Sequence, residues 1–297
     1  MFNNSNMVSV CIPTFNRKEL LKGAVESVVN QSYKNIEIII SDDCSTVELD
    51  DVINFFNDNR IVFFRHNKNI GFIQNWNFCI KKSNGAYIKI MGDDDLLNKN
   101  CIEDEIREIT KNSVDFICSN YETIDENSKN INNKIFNASS FKILPFSGLV
   151  DKEYFMLKYF SGKIRVGLPS SITFKKNIVQ QVGLFDENMG CAADIDMWIR
   201  MIDKSKLYYN DKILLKMRRH KDNLSKKIQS NFFSFQSDID LIYKHKDKIK
   251  NNLLYKIIIF LRYSKIMMFN VFDIRFIKFK DKKKILVYFI KIFKILL

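Results

Sequence analysis

Over its first hundred residues the chain alternates short apolar runs with longer amphipathic stretches. Val8-Ser9-Val10-Cys11-Ile12 reads as a buried strand stopped by Pro13. Residues 17–31 then place Leu20, Leu21, Ala24 and Val28 on one side of a helix. The pattern predicts further strands at 36–40, 61–64 and 86–90, with helices at 47–57 and 72–82 between them. Such βαβαβαβ alternation predicts an α/β fold: a Rossmann-like, mostly parallel central sheet with helices on both faces. Further along, the spacing predicts a helix over 98–111 and a strand over 114–118. An Asn/Ser/Lys-rich excursion follows at 125–147, then a short helix at 154–160 and a strand at 171–174. A turn at 183–187, a helix at 193–204 and two short strands at 206–209 and 212–217 complete this part.

In sheets of this kind ligands sit beyond the carboxyl ends of the strands. Three polar clusters fall there: residues 13–17, residues 42–46 and Asp93-Asp94-Asp95. The triplet ends an apolar strand, where crowded carboxylates repel one another and raise each other's pKa. A divalent cation, Mn²⁺ or Mg²⁺, resolves that conflict, and Mg²⁺ is commonly held by one or two carboxylates plus substrate phosphates. Acids at helix starts also suit the helix dipole, which accounts for one Asp more readily than for three. No G-x-G-x-x-G follows the first strand and no G-x-x-x-x-G-K-[ST] occurs, which disfavours dinucleotide and P-loop chemistry.

Composition narrows the class. The 46% hydrophobic content is that of a folded protein, and only 3 Pro and 9 Gly leave little room for long loops. Cys11, Cys44, Cys79, Cys101, Cys118 and Cys191 show no C-x-x-C spacing, so zinc and thioredoxin-like readings lack support and free thiols of a reducing cytosol are expected. The polar start, residues 1–6, has no signal-peptide character, and no apolar run reaches membrane-spanning length. Net charge is +13, but residues 251–297 hold 11 Lys and Arg against Asp273 and Asp281. A near-neutral body with a basic tail argues against nucleic acid and for an anionic membrane surface. Lys280, Lys284, Lys291 and Lys294 fall on one helical side, and Leu286, Phe289, Ile290, Phe293 and Leu297 largely on another. That suits an interfacial helix, the reading the charge asymmetry favours over a helix packed on the body or a partner with its lysines solvated.

Together these residues resemble family-two glycosyltransferases of the GT-A fold, of the bacterial surface-glycan type. The resemblance rests on residues 8–17, Asp42-Asp43-Cys44-Ser45, the Asp triplet, Gly183-Leu184-Phe185-Asp186-Glu187, Asp194-Ile195-Asp196-Met197-Trp198 and Arg218-Arg219-His220, and covers about residues 7–225. It divides the chain into a catalytic domain, 1–225, and a helical, basic C-terminal region, 226–297. It implies that Pro13, Thr14, Asn16, Arg17, Asp42, Asp43, Asp93 and Asp94 meet the donor nucleotide, a UDP-sugar. Asp95, Asp94 and His220 are implied as metal ligands and Asp194 as the general base. Asp196, Trp198 and Arg218 are candidates for acceptor or diphosphate contact, Lys68 and Asn69 for the donor rim, and Arg200 for an ion pair that pins the helix. Trp76 reads as core or acceptor wall. The chain departs from the family pattern at Gly92, where an Asp is frequent, at Cys44, usually Gly or Asn, and at Ala193, commonly an acid.

The implied reaction is metal-dependent, inverting transfer of a hexosyl or N-acetylhexosaminyl group to a hydroxyl of a glycan or lipid-linked glycan, on the inner face of the cell membrane. Two other readings remain. A nucleotidyltransferase would want a Gly-rich basic loop after the first strand, and Phe15-Asn16-Arg17-Lys18-Glu19 has no Gly. A non-catalytic membrane-bound scaffold would not need the triplet together with Asp194.

Overall fold

A computed structural model describes residues 6–131, 144–160, 168–220 and 232–249, with isolated positions beyond 250. The first half follows the alternating pattern closely: β1 (Val8–Thr14), α1 (Lys18–Val29), β2 (Ile36–Asp42), α2 (Asp50–Phe56), β3 (Ile61–Arg65), α3 (Phe72–Lys82) and β4 (Tyr87–Ile90). β1 runs past Pro13, which pairs with Ser41 near the strand's end, where a missing N–H costs the ladder little. After the triplet come β5 (Leu96–Leu97), α4 (Cys101–Asn112), β6 (Phe116–Ile124), β7 (Gly148–Leu149), α5 (Lys152–Phe160), β8 (Ile172–Lys175) and α6 (Ile178–Val182). A 3₁₀ turn (Glu187–Ala192) leads into α7 (Ala193–Lys204), then β9 (Leu207–Arg218) and α8 (Phe232–Lys244).

All nine strands form one sheet, ordered β3-β2-β1-β4-β8-β6-β9-β5, with β7 also on β9. β1, β2, β3 and β4 are mutually parallel; β8 enters antiparallel to both β4 and β6, and β9 runs parallel to β6. The carboxyl ends of β1, β2, β4 and β9 therefore share one edge. β9 is one strand where two short ones are expected, because the polar Asn210-Asp211-Lys212 is absorbed as a bulge against Ser119-Asn120-Tyr121.

Central strands are buried on both faces, which is why β1 and β2 read as nearly continuous apolar runs. Their alternate side chains feed two cores. Val8, Val10, Ile12, Ile38 and Ile40 face α1, α2 and α4. Cys11, Ile39, Ile88 and Phe116 face α3, α5, α7 and α8. Ile239, Leu241 and Ile242 of α8 are almost wholly buried in that second core. The boundary expected at 225 lies outside the described residues; α8, beyond it, packs into the second core. Most of the expected basic helix at 251–297 also lies outside the described residues.

α7 joins β9 through two residues, so it runs antiparallel to that strand. Its amino end, with Asp194, accordingly lies toward the carboxyl edge of the sheet. A 12-residue helix is about 18 Å long, most of the roughly 23 Å length of a 7-residue central strand.

Candidate active site

The loop after β1 and the loop after β2 are tied into one wall. Asn16, at φ 55°, accepts from the Thr46 amide at 2.8 Å, and its own amide donates to Ser45 Oγ at 2.8 Å. Asp42 is fully buried. Its Oδ1 accepts from the Ser45 amide at 3.0 Å and the Ser45 hydroxyl at 2.5 Å. Its Oδ2 has no hydrogen bond among the described residues and faces Arg65 Nε at 3.5 Å. Cys44 lies at φ 66°, the left-handed region, where the Gly or Asn usual at this position carries less strain.

The triplet crosses the top of the sheet from β4 toward β5 and is held by five residues. Thr14 Oγ1 donates to Asp93 at 2.8 Å. Arg17 Nη1 bridges Asp93 at 2.9 Å and Asp94 at 3.1 Å. His220 Nε2 lies 2.9 Å from Asp94 Oδ2. Asp95 accepts from Ser170 Oγ at 2.5 Å and from the Arg218 amide at 3.1 Å. Ser170 in turn accepts from the Gly92 amide at 2.9 Å, so one hydroxyl fixes both ends of the turn. A Cβ on Gly92 would lie 2.9 Å from Asp94 Oδ1 and 3.2 Å from Asp95 Oδ2, so the side chain frequent there would require both carboxylates to shift.

Burial, and then the Asp94 charge, push Asp93 up to about 6, against the pull of Arg17 and Thr14. Burial and Asp94 push Asp95 up to about 7, opposed by Ser170 and the Arg218 amide. Asp93 and Asp95 thus sit in a place where ionisation is costly.

The structure brings Thr14, Arg17, Asp93, Asp94, Asp95, Arg218 and His220 together, with Asn16 and Asp42 on the adjoining wall. Several expected roles shift. Both Asp43 oxygens hold the loop before α3, accepting from the Ile70 amide at 2.6 Å and the Gly71 amide at 3.0 Å. Asn69 donates to the Asp43 carbonyl at 3.2 Å, and Lys68 is exposed beside it. Asp95 stands in the place expected of the first metal ligand, yet each of its oxygens is engaged by protein donors. Asp94 and His220 are the pair whose ligand atoms converge. Among the described residues no three His, Cys, Asp or Glu side chains form a ready-made metal site. A carboxylate–imidazole pair completed by diphosphate oxygens is nevertheless a donor set that suits Mg²⁺ or Mn²⁺.

Arg218 turns its guanidinium to the carbonyls of Asp94 at 3.0 Å, Asp125 at 3.0 Å and Glu126 at 3.1 Å, so it braces the loops rather than offering its charge to a diphosphate. Trp198 is 1% exposed and meets Phe185 and Phe174 edge-on or tilted, which makes it core and removes it from any acceptor wall. Trp76 continues that aromatic row against Phe185. Asp196 is fully buried and held by Arg200 at 2.8 Å, so it too is withdrawn from an acceptor, while the expected ion pair of Arg200 is present. Arg200 also donates to the carbonyls of Val182 and Leu184, and Asn77 exchanges two hydrogen bonds with the Phe185 backbone, fixing the turn ahead of α7. Asp194 is half-buried in the first turn of α7 and accepts from the Ile195 amide at 2.7 Å.

Sequence reasoning missed Ser170 and Arg65, and gave Ser45 only as part of its motif. Pro169-Ser170-Ser171 before a strand carries a faint signal, since Pro at the first position of a 3₁₀ turn fixes where the next hydroxyl lands.

A family model described as Glycosyl transferase family 2 matches residues 9–183, ending before α7. A protein of Rickettsia bellii named an uncharacterized glycosyltransferase is 30% identical over 216 residues, covering 73% of this chain and 29% of that protein. The UDP-Glc:alpha-D-GlcNAc-diphosphoundecaprenol beta-1,3-glucosyltransferase of Escherichia coli is 37% identical over 115 residues, 39% of this chain and 46% of that protein. The chain spans from 29% to 65% of the length of the Rickettsia relatives it matches. Among solved structures, S. aureus TarS 1–349 superposes with a TM-score of 0.71 at 17% identity, over 97% of this chain and 80% of that one. The same protein in complex with UDP-GlcNAc gives 0.68 at 15% identity, over 95% and 79%. These superpositions show a shared fold.

Proposed function

The chain belongs to glycosyl transferase family 2, and from that premise we propose that it moves one sugar from a UDP-sugar to a hydroxyl of a lipid-linked or surface glycan, with inversion at the anomeric carbon. The observation that carries the reading is the acidic triplet, largely buried at the carboxyl edge, with Asp42 beside it and the amino end of α7 toward the same edge. Asp42 Oδ2 has no hydrogen bond among the described residues and is covered by Arg65 at 3.5 Å, so it suits the imide N–H of a uracil once Arg65 turns aside. The TarS complex with UDP-GlcNAc and the UDP-glucose named for the E. coli relative support a uridine donor. The diphosphoundecaprenol in the latter's name supports a lipid-linked acceptor.

Asp94 and His220 would hold Mn²⁺ or Mg²⁺ together with the diphosphate, and such an ion supplies charge neutralisation of the leaving group. Arg17, bridging Asp93 and Asp94, lies where a guanidinium can turn to the diphosphate. Asp194 takes the proton from the attacking hydroxyl, on the side opposite the leaving group. Two carboxylates in these roles need no covalent glycosyl-enzyme. Asp194→Asn is expected to lower kcat by about 10²–10⁴-fold while leaving UDP affinity within about twofold. Transfer at the parent rate would remove Asp194 from the mechanism. Hydrolysis of UDP-glucose and UDP-N-acetylglucosamine with and without Mn²⁺ identifies the donor class and the metal requirement. The basic tail is proposed to meet an anionic membrane. Among the described residues no helix is long and apolar enough to cross one.

A further inference from the structure

We propose that Lys244 and His245, at the end of α8, are positioning residues for the reaction: acting through Asp196, they set the rotation of α7 and thereby the direction of Asp194. The proposal rests on Asp194 being the base.

Asp196 is fully buried and receives three basic side chains. Arg200 reaches it from its own helix at 2.8 Å, and Lys244 at 2.8 Å and His245 at 2.9 Å reach it from α8. A lone buried carboxylate is costly, and this arrangement offsets the cost only in one helix orientation. Burial works against the ionised form, yet His245, Arg200 and Lys244 together hold Asp196 down to about 2. In an α-helix two residues turn about 200°, so Asp194 points nearly opposite to Asp196. Asp194 thus shares the face of Trp198, whose ring meets Phe174 of the sheet. Fixing Asp196 against α8 holds Asp194 over the sheet.

Arg200 and Asn77 fix the turn at 182–185, and the helical backbone is interrupted between that turn and α7. Gly190 breaks the helical path at φ 53°, ψ −124°. Lys244 spans this break, because it also pairs with Asp186 at 2.7 Å, and Asp186 accepts from the Asn188 amide at the start of the 3₁₀ turn. At the far end of α7, Lys248 pairs with Asp203, so the end of α8 and the turn after it hold both ends of α7.

The test uses the full chain with His245→Leu, His245→Asn, Lys244→Met, Lys244→Arg and Asp194→Asn. The readouts are hydrolysis of UDP-glucose and UDP-N-acetylglucosamine, UDP affinity by calorimetry, and amide hydrogen exchange over residues 187–196. His245→Leu and Lys244→Met are expected to lower kcat about tenfold or more with donor KM and UDP affinity within about twofold, and to speed exchange in 187–196 selectively. His245→Asn and Lys244→Arg, which keep a donor, are expected to recover most of the loss. Parent kcat, unchanged exchange, or kcat loss that merely tracks lost UDP affinity overturns the proposal. Parent turnover in Asp194→Asn removes the base and the proposal with it. If the parent hydrolyses neither sugar nucleotide, the donor assignment fails separately, and exchange over 187–196 still decides whether α8 holds the segment.

Discussion

Asp93 and Asp95 sit above the ordinary carboxylate pKa of about 4, at about 6 and about 7. The folded site therefore keeps protons that the unfolded chain has released. Stability from this source is present below about pH 4 and is lost as pH rises through 6 to 7. A cation with a nucleoside diphosphate relieves that loss most where both carboxylates are ionised. The increase in melting temperature on adding Mn²⁺ and UDP is expected to be larger at pH 8 than at pH 5.5, by scanning fluorimetry. An equal or smaller increase at pH 8 goes against this account of the triplet. The triplet was legible in the sequence as acids at a strand end, but the division of labour within it was not. Asp95 is defined by Ser170 and the Arg218 amide, 75 and 123 residues away, and no local pattern announces a backbone N–H as a partner.

Beneath the triplet, β4 and α4 share a wholly buried ion pair. Lys89 Nζ lies 2.9 Å from Glu105, whose oxygens also accept from Ser119 at 2.8 Å and Thr173 at 2.7 Å. Lys89→Met leaves Glu105 uncompensated and is expected to cost about 3–5 kcal/mol in urea unfolding. Lys89→Met with Glu105→Leu is expected to recover at least half of that; no recovery would mean the pair is more than a mutual compensation. At this scale the strands and helices of the first half were readable because parallel strands buried on both faces must be apolar throughout. β9 was misread as two strands because a bulge and a turn use the same polar residues. The docking of α8 was hidden as well, since Lys244 and His245 look like any basic helix end until Asp196 is seen to be buried.

Across the whole molecule, charge is segregated between a near-neutral body and a basic tail. Within the tail, Lys291 meets Asp240 on α8, while Val287 and Ile290 are about half exposed. The full chain is expected to float with anionic liposomes and a 1–250 truncation, which retains α8, is expected not to; equal flotation would separate the tail from membrane binding. The carboxyl edge of the sheet is also completed late in time. Asp95 closes its bond to the Arg218 amide across 123 residues of chain. At translation rates of about 5–20 residues per second, roughly 6–25 s separate the synthesis of the two. Until β9 emerges, the triplet cannot take up its final set of partners. Assembly of the chemical centre is therefore a late event in biogenesis, coupled to completion of the sheet rather than to folding of the βαβ units around it.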